Sequence, residues 1–541
     1  MAGRDEHDKA LPQRVELLIS GGSLVDGSGA ATAPGTVGVR DGRLQLGPAG
    51  WQPEARRVLD ATGMVVAPGF IDLHSHGGLV ILADPRHEPK VRQGVTTEII
   101  GVDGNGYAPF AHRDDLEAFV RLNAGLDGDP PLDYDWDTVA SYLDRYDRGQ
   151  AINVGVLVGN SALRIGAIGW DDAPADERAL ASMRAMLREA MEEGAFGISS
   201  GLDYPPGSYA STDELAALTA EAARHGGIYH THVRYPLGDR FMDPFREAVE
   251  IGRRGEGPAH ITHFYHRLTY PGTPEQLLAL VDDAQAAGQD VSFDTYPYEW
   301  ASTRLLIQLP QWVQAGGPAP LKERLADAGM RDRIRQELAA RGAAYAGAAG
   351  WADVRLGAFT RPENVPWESR SLADVMDDTG RDAVDVICDL LLSEDLRVAQ
   401  VTSGPHTDGL RRFLQHPSAM IGTDSTFLGE KPSPRTYGSF PRILGQFVRE
   451  EALLSLEEAV HRMTGAPAAR LGLRSRGLLR DGYAADVVVF DAQRVRANAT
   501  YDEPRQFPDG IEHVLVNGTL VVDGGSHTGA TPGRAMRHAR D

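Results

Sequence analysis

The sequence predicts an α/β protein: a (β/α)8 barrel with a small β-domain drawn from both chain ends and an inserted subdomain. Three observations predict it. The middle of the chain alternates short apolar strands with helical stretches, which implies a parallel sheet, and at 541 residues a closed barrel is the natural form. Both ends have a different texture, short strands broken by tight turns. Finally, several apolar runs stop at a histidine or an aspartate just before a loop, and in a barrel those strand ends form the rim that carries the active site.

The elements follow in order. Residues 1–66 supply the first part of the β-domain: 15–19 runs into Gly21-Gly22, Leu24-Val25 runs into Asp26-Gly27, and 37–44 reads as a hairpin about Asp41-Gly42. Residues 67–470 supply the barrel, with its clearest strands at 151–158 and 260–263 and its clearest helices at 178–193 and 212–225. From about 310 to 355 the alternation gives way to Ala/Arg-rich helix and Gly-rich loops, the expected insertion. Residues 471–541 return to strands, 485–490 and 513–522, the second folded about Asn517-Gly518.

Composition narrows the function classes. Apolar residues make up 42% and charged residues 24%, ordinary for a soluble globular chain. With 54 basic against 76 acidic residues the net charge is −22, which argues against nucleic acid or an anionic membrane as partner. No apolar run approaches the ~18 residues needed to span a bilayer. The polar stretch from Met1 to Gln13 lacks an apolar leader, so a cytoplasmic location is expected. The single cysteine, Cys388, sits in an apolar helical run and reads as a packed core thiol.

The chemistry concentrates at strand ends. Ala67-Pro-Gly-Phe-Ile-Asp-Leu-His-Ser-His76 ends in two imidazoles at i and i+2, a spacing that places both on one face of a strand. With 17 histidines, roughly one such chain in two would contain His-x-His by chance, so the neighbours must carry the argument. They are Asp103 at the end of 94–104, His232 at the end of 227–232, His263 at the end of 259–263 and Asp424 at the end of 419–424. Converging imidazoles and carboxylates make a nitrogen/oxygen site for a divalent metal such as zinc. His230 shares a face with His232 but lies one layer deeper. Glu98 and Asp103 compete for one role; they point to opposite faces of a regular strand, and Asp103 is nearer the rim. Taken alone, Asp424 also reads as a helix N-cap.

These motifs, together with Gly-Val-Thr-Thr, Thr-His-Val-Arg and Ile-Gly-Thr-Asp, resemble the amidohydrolase superfamily. Within it the chain is similar to the D-aminoacylase (N-acyl-D-amino-acid deacylase) family, through 194–207, Asp294-Thr-Tyr-Pro-Tyr298, Pro434-Arg-Thr-Tyr-Gly438 and 484–490. The resemblance runs from Arg14 to Gly533. It implies a distorted TIM barrel with a small β-sandwich from both termini and an inserted subdomain. It implies one tight zinc on the strand-2 side chain, His232 and His263, with His74 and His76 offering a second, weaker or empty position. It makes Asp424 the catalytic aspartate and places Tyr204 and Tyr296 in the substrate pocket; Arg234, Tyr265, Tyr298 and Ser433 are further pocket candidates.

Four positions depart from the family pattern. Asp103 stands where cysteine is typical, Tyr265 where a lysine contacts the substrate carboxylate, Ser433 where His-Pro-Arg-x-Tyr-Gly begins, and Asn160 where histidine is frequent. Hydrolysis of a small-molecule amide is therefore expected, with an N-acyl-D-amino acid as first substrate and a specialised or cyclic amide as the alternative. A metal-poor barrel acting as a binding protein is the reading from outside enzymology. Whether the protein is a monomer or a homodimer is not legible in the sequence.

Overall fold

The computed structural model describes residues 13–235, 241–267, 270–341, 349–403 and 407–538. The polar stretch at 1–12 and part of the expected insertion, 342–348, lie outside them.

The barrel strands are β1 (Phe70–Asp72), β2 (Val95–Ile100), β3 (Asn153–Val156, continued at Val158–Gly159), β4 (Gly197–Gly201), β5 (Ile228–His232), β6 (Ala259–Ile261), β7 (Val291–Thr295) and β8 (Ala419–Ile421). All are buried along their length, as strands covered on both faces must be, and several carry buried polar side chains such as Thr97, Ser199, Thr231 and Asp294 among the apolar ones. Neighbouring strands are parallel, and β3 is split at Leu157: its first half pairs with β2 and its second with β4. The seam between β8 and β1 closes beyond the strand ends, through a bridge between Ser75 and Ser425. That interrupted strand and late seam are the distortion of the barrel.

Local sequence explains the helices that cover it. Helix Glu177–Glu193 starts where the Asp176 carboxylate accepts the Ala179 N–H and stops at Gly194, whose φ of 118° favours glycine. Ser211 caps helix Thr212–Arg224 in the same way.

The β-sandwich uses both chain ends. One sheet holds Glu54–Asp60, Arg14–Ser20, Thr36–Arg40 and Arg43–Gly47. In the other, Val65–Pro68 pairs antiparallel with Val487–Phe490, Ala67 facing Val488. Leu17, Ile19, Val37, Val39, Val487, Val489 and Leu515 fill the space between.

The expected insertion at about 310–355 falls within a longer segment of non-barrel structure. Between β7 and β8 a three-stranded sheet, Trp300–Arg304, Arg355–Gly357 and Ala399–Ser403, encloses helices including Leu372–Thr379 and Ala383–Ser393. Those two helices are ordinary capped, amphipathic segments, so in sequence they pass for barrel helices. Cys388 is buried among them, and burial pushes its thiol up to about 11, as a core thiol requires. No described helix is long and apolar enough to cross a membrane.

Candidate metal centre

The rim of the barrel brings His74, His76, Asp103, His232, His263 and Asp424 together, all buried. Asp103 is the hub. Its Oδ2 lies 3.2 Å from His74 Nε2, 3.6 Å from His76 Nε2 and 3.8 Å from both His232 Nδ1 and His263 Nε2. Its Oδ1 lies 3.2 Å from the Thr262 hydroxyl. The regular strand ends at Ile100, and Asp103 is reached through a turn in which Gly101 and Asp103 both have positive φ, 73° and 52°. Parity over 98–103 therefore does not apply, although it picked the residue that sits at the hub. Glu98 is elsewhere: it faces Lys90 and His87, which outweigh burial and hold its carboxyl down at about 2.

Asp424 completes the cluster. Its N–H donates to His74 O at 2.8 Å, locking the end of β8 to the end of β1. Its Oδ1 is 3.3 Å from His76 Nε2 and 3.6 Å from His74 Nε2, while Oδ2 is 2.8 Å from Arg435 Nη1. Burial alone would raise this carboxyl, but Arg435 and then His74 hold it below the usual carboxylate range. No helix starts at Asp424, so it is not an N-cap.

A second layer of carboxylates orients the rings. His74 Nδ1 meets Asp294 at 3.2 Å, His76 Nδ1 meets Asp127 at 2.7 Å and His232 Nε2 meets Asp203 at 2.9 Å. This is the arrangement that fixes ring orientation and raises the basicity of metal-binding imidazoles. Burial opposes protonation of His232, but its bonds to Asp103 and Asp203 raise it to about 9; burial, then the neighbouring His232, pushes His263 down to about 4. His232 Nδ1 and His263 Nε2 face each other at 2.9 Å, a contact that needs a proton or a cation between the two nitrogens. The donor set, imidazole nitrogen and carboxylate oxygen in two overlapping groups, fits divalent ions of the zinc type.

Around the cluster the pocket is aromatic. The Tyr204 ring lies 4.9 Å from that of His232, with its hydroxyl bonded to Thr303. Tyr265 lies 5.6 Å from His263 and 6.0 Å from Tyr296, centroid to centroid. Tyr296 carries the Arg435 guanidinium over its ring at 4.7 Å, and its buried hydroxyl has no hydrogen-bond partner among the described residues. The buried Ser433 hydroxyl is likewise unpartnered. Tyr298 packs against Arg442 and Tyr501. The guanidinium of Arg234, an expected pocket residue, is engaged by Glu247 at 3.0 Å and by the carbonyls of Ser208 and Ala210, so it clamps a loop. His230 lies beneath, its ring stacked 5.1 Å from that of His260.

Sequence reasoning missed Asp127, Asp203, Arg435 and the role of Asp294. Three of these lie inside motifs already noted, 194–207, 294–298 and 434–438; Asp127, the last residue of helix Arg113–Asp127, carries no local signal.

Comparison with known proteins agrees with the geometry. The amidohydrolase family model matches residues 57–522. The chain is 34% identical to the N-acyl-D-aspartate deacylase of Alcaligenes xylosoxydans xylosoxydans over 99% of this chain and 97% of that one. It is 35% identical to the N-acyl-D-glutamate deacylase of the same organism over 97% of both. Among solved structures it is similar to the N-acyl-D-glutamate deacylase of Bordetella bronchiseptica complexed with zinc and a phosphonate inhibitor. There the TM-score is 0.82 and the identity 32%, covering 97% of this chain and 100% of that one. A barrel whose strand ends gather this cluster, matched nearly end to end by such relatives, places the chain in the amidohydrolase family, within its N-acyl-D-amino-acid deacylase branch.

Proposed function

We propose that this protein is a metal-dependent deacylase of N-acyl-D-amino acids, releasing a carboxylate and a D-amino acid. The observation that carries the reading is the position of Asp103 Oδ2, central to four imidazoles, with Asp424 Oδ1 beside it at the barrel mouth. His74, His76, Asp103, His232, His263 and Asp424 would hold the metal, zinc being the first choice, and a bound ion would supply the Lewis acidity that activates water and polarises the scissile carbonyl.

The chain's own residues do the rest. Arg435 keeps Asp424 ionised, so Asp424 accepts the proton of the attacking water and returns it to the leaving nitrogen. The unpartnered Tyr296 hydroxyl is a donor for charge developing on the carbonyl oxygen. Burial of the cluster excludes competing water. In metal-saturated protein, Asp424→Asn is expected to lower kcat by about 10²–10⁴-fold, the usual worth of a general acid–base group; near-normal turnover removes Asp424 from this role. A specialised or cyclic amide is the second reading, favoured by Tyr265, a neutral phenol beside His263. Assaying N-acyl-D-amino acids against cyclic amides separates the two.

A further inference from the structure

The cluster divides into two unequal half-sites that share Asp103. One is His74, His76, Asp103 and Asp424; the other is Asp103, His232 and His263. Four differences favour the first. It has four donors against three, and two carboxylates against one. The shared Asp103 Oδ2 leans toward it, at 3.2 and 3.6 Å from the two nitrogens, against 3.8 Å on the other side. Both of its imidazoles are backed by carboxylates, Asp294 and Asp127. In the second half-site Asp203 backs His232, but the buried Nδ1 of His263 has no partner among the described residues. Arg435 offsets part of the Asp424 charge, yet it engages Oδ2 and leaves Oδ1 directed at His74 and His76.

A soft thiolate at the hub would strengthen a three-donor half-site by forming a strong bond to a zinc-type ion; a carboxylate oxygen gives no such advantage. We infer that in this chain the first metal equivalent binds at His74, His76, Asp103 and Asp424, and that the His232–His263 position fills second. This reverses the order implied by the family pattern, in which the strand-2 side chain, His232 and His263 hold the tight ion. The inference rests on the metal-dependent reading above, but its test does not use turnover.

Zinc affinity is measured on metal-stripped full-length protein by competition with a chromophoric chelator. His76→Ala is expected to weaken the first equivalent by about 100-fold or more, and His263→Ala by less than about 5-fold, since a donor with its backing carboxylate is worth more than the backing carboxylate's 10–100-fold alone. A loss that is equal in the two variants, or larger in His263→Ala, overturns the order; so does failure of the wild-type protein to bind zinc. His76→Gln and His263→Gln, which keep side-chain bulk, repeat the comparison if either alanine variant unfolds. Asp103→Cys provides an independent check by the same zinc competition: there the ranking is expected to reverse, His263→Ala weakening the first equivalent more than His76→Ala, and an unchanged ranking counts against the role assigned to the hub oxygen. A protein that binds zinc in the expected order yet cleaves no N-acyl-D-amino acid leaves the inference standing and removes the substrate proposal.

Discussion

Arg435 and Asp424 form a buried ion pair at the mouth of the barrel, Nη1 to Oδ2 at 2.8 Å, and the guanidinium simultaneously covers the Tyr296 ring at 4.7 Å. The pair ties the ionisation of the proposed acid–base residue to a side chain from the helix Arg435–Arg442.

Removing the cation therefore has a signed effect. Asp424 is depressed in the native protein, so its base form is present above its folded pKa and lost as pH falls through it. In Arg435→Met that loss moves to higher pH, by about 1–3 units, the usual influence of an adjacent opposite charge. The acid limb of kcat/KM against pH, recorded with saturating metal, reads this directly; an unmoved limb dissociates Arg435 from Asp424.

Lys90 holds the seam behind the site. Its fully buried ammonium bonds Asp72, Thr423 and Ser425 and pairs with Glu98 at 3.1 Å, while Asp72 also accepts the backbone N–H groups of His74 and Thr423. Lys90→Met leaves buried carboxylates uncompensated and is expected to cost about 3–5 kcal/mol in urea unfolding. Adding Glu98→Gln is expected to recover part of that loss; a double variant no more stable than the single one contradicts the account.

Glu98 gives the matching pH dependence. Its carboxyl sits at about 2 in the fold against an ordinary 4.5, so its stabilising contribution is complete above about 4.5 and disappears as pH falls toward 2. Stability of Glu98→Gln should then converge on that of the wild type across this window, as followed by urea midpoints at successive pH values.

Arg234 and Tyr265 separate structure from recognition. Arg234→Met is expected to lower stability by about 1–3 kcal/mol, the cost of leaving Glu247 unpaired, with KM changed by less than about threefold. Tyr265→Lys is expected to raise kcat/KM for N-acyl-D-amino acids by about tenfold, ~1.4 kcal/mol, if a carboxylate is seated there. No gain in steady-state kinetics would favour an uncharged leaving group.

What could be read in advance follows from how far each interaction travels along the chain. Strand-end residues such as His74, His232 and Asp424 announce themselves because an apolar run stops at each, and the two β-textured ends announce the sandwich. Asp103 emerged from an alternation rule although a left-handed turn, not a regular strand, delivers it. Asp127 was invisible because its role exists only once a helix end meets His76 from 51 residues away. The sheet of the insertion escaped notice because its strands are short and only partly buried, so that neither length nor hydrophobic pattern marks them.

The pairing of Val65–Pro68 with Val487–Phe490 has a kinetic consequence. The strand that leads directly into β1, and hence into His74 and His76, pairs on one edge with Ser23–Leu24 but finds the partner of its other edge only in residues synthesised near the end of the chain. At roughly 5–20 residues per second, the ribosome must work for tens of seconds before that partner exists. Throughout that interval the edge of 65–68 that will meet 487–490 is an unpaired template in the nascent polypeptide, the kind of exposure that promotes aggregation. C-terminal truncations ending before residue 487 should consequently accumulate as insoluble protein even though every proposed metal ligand is present in them.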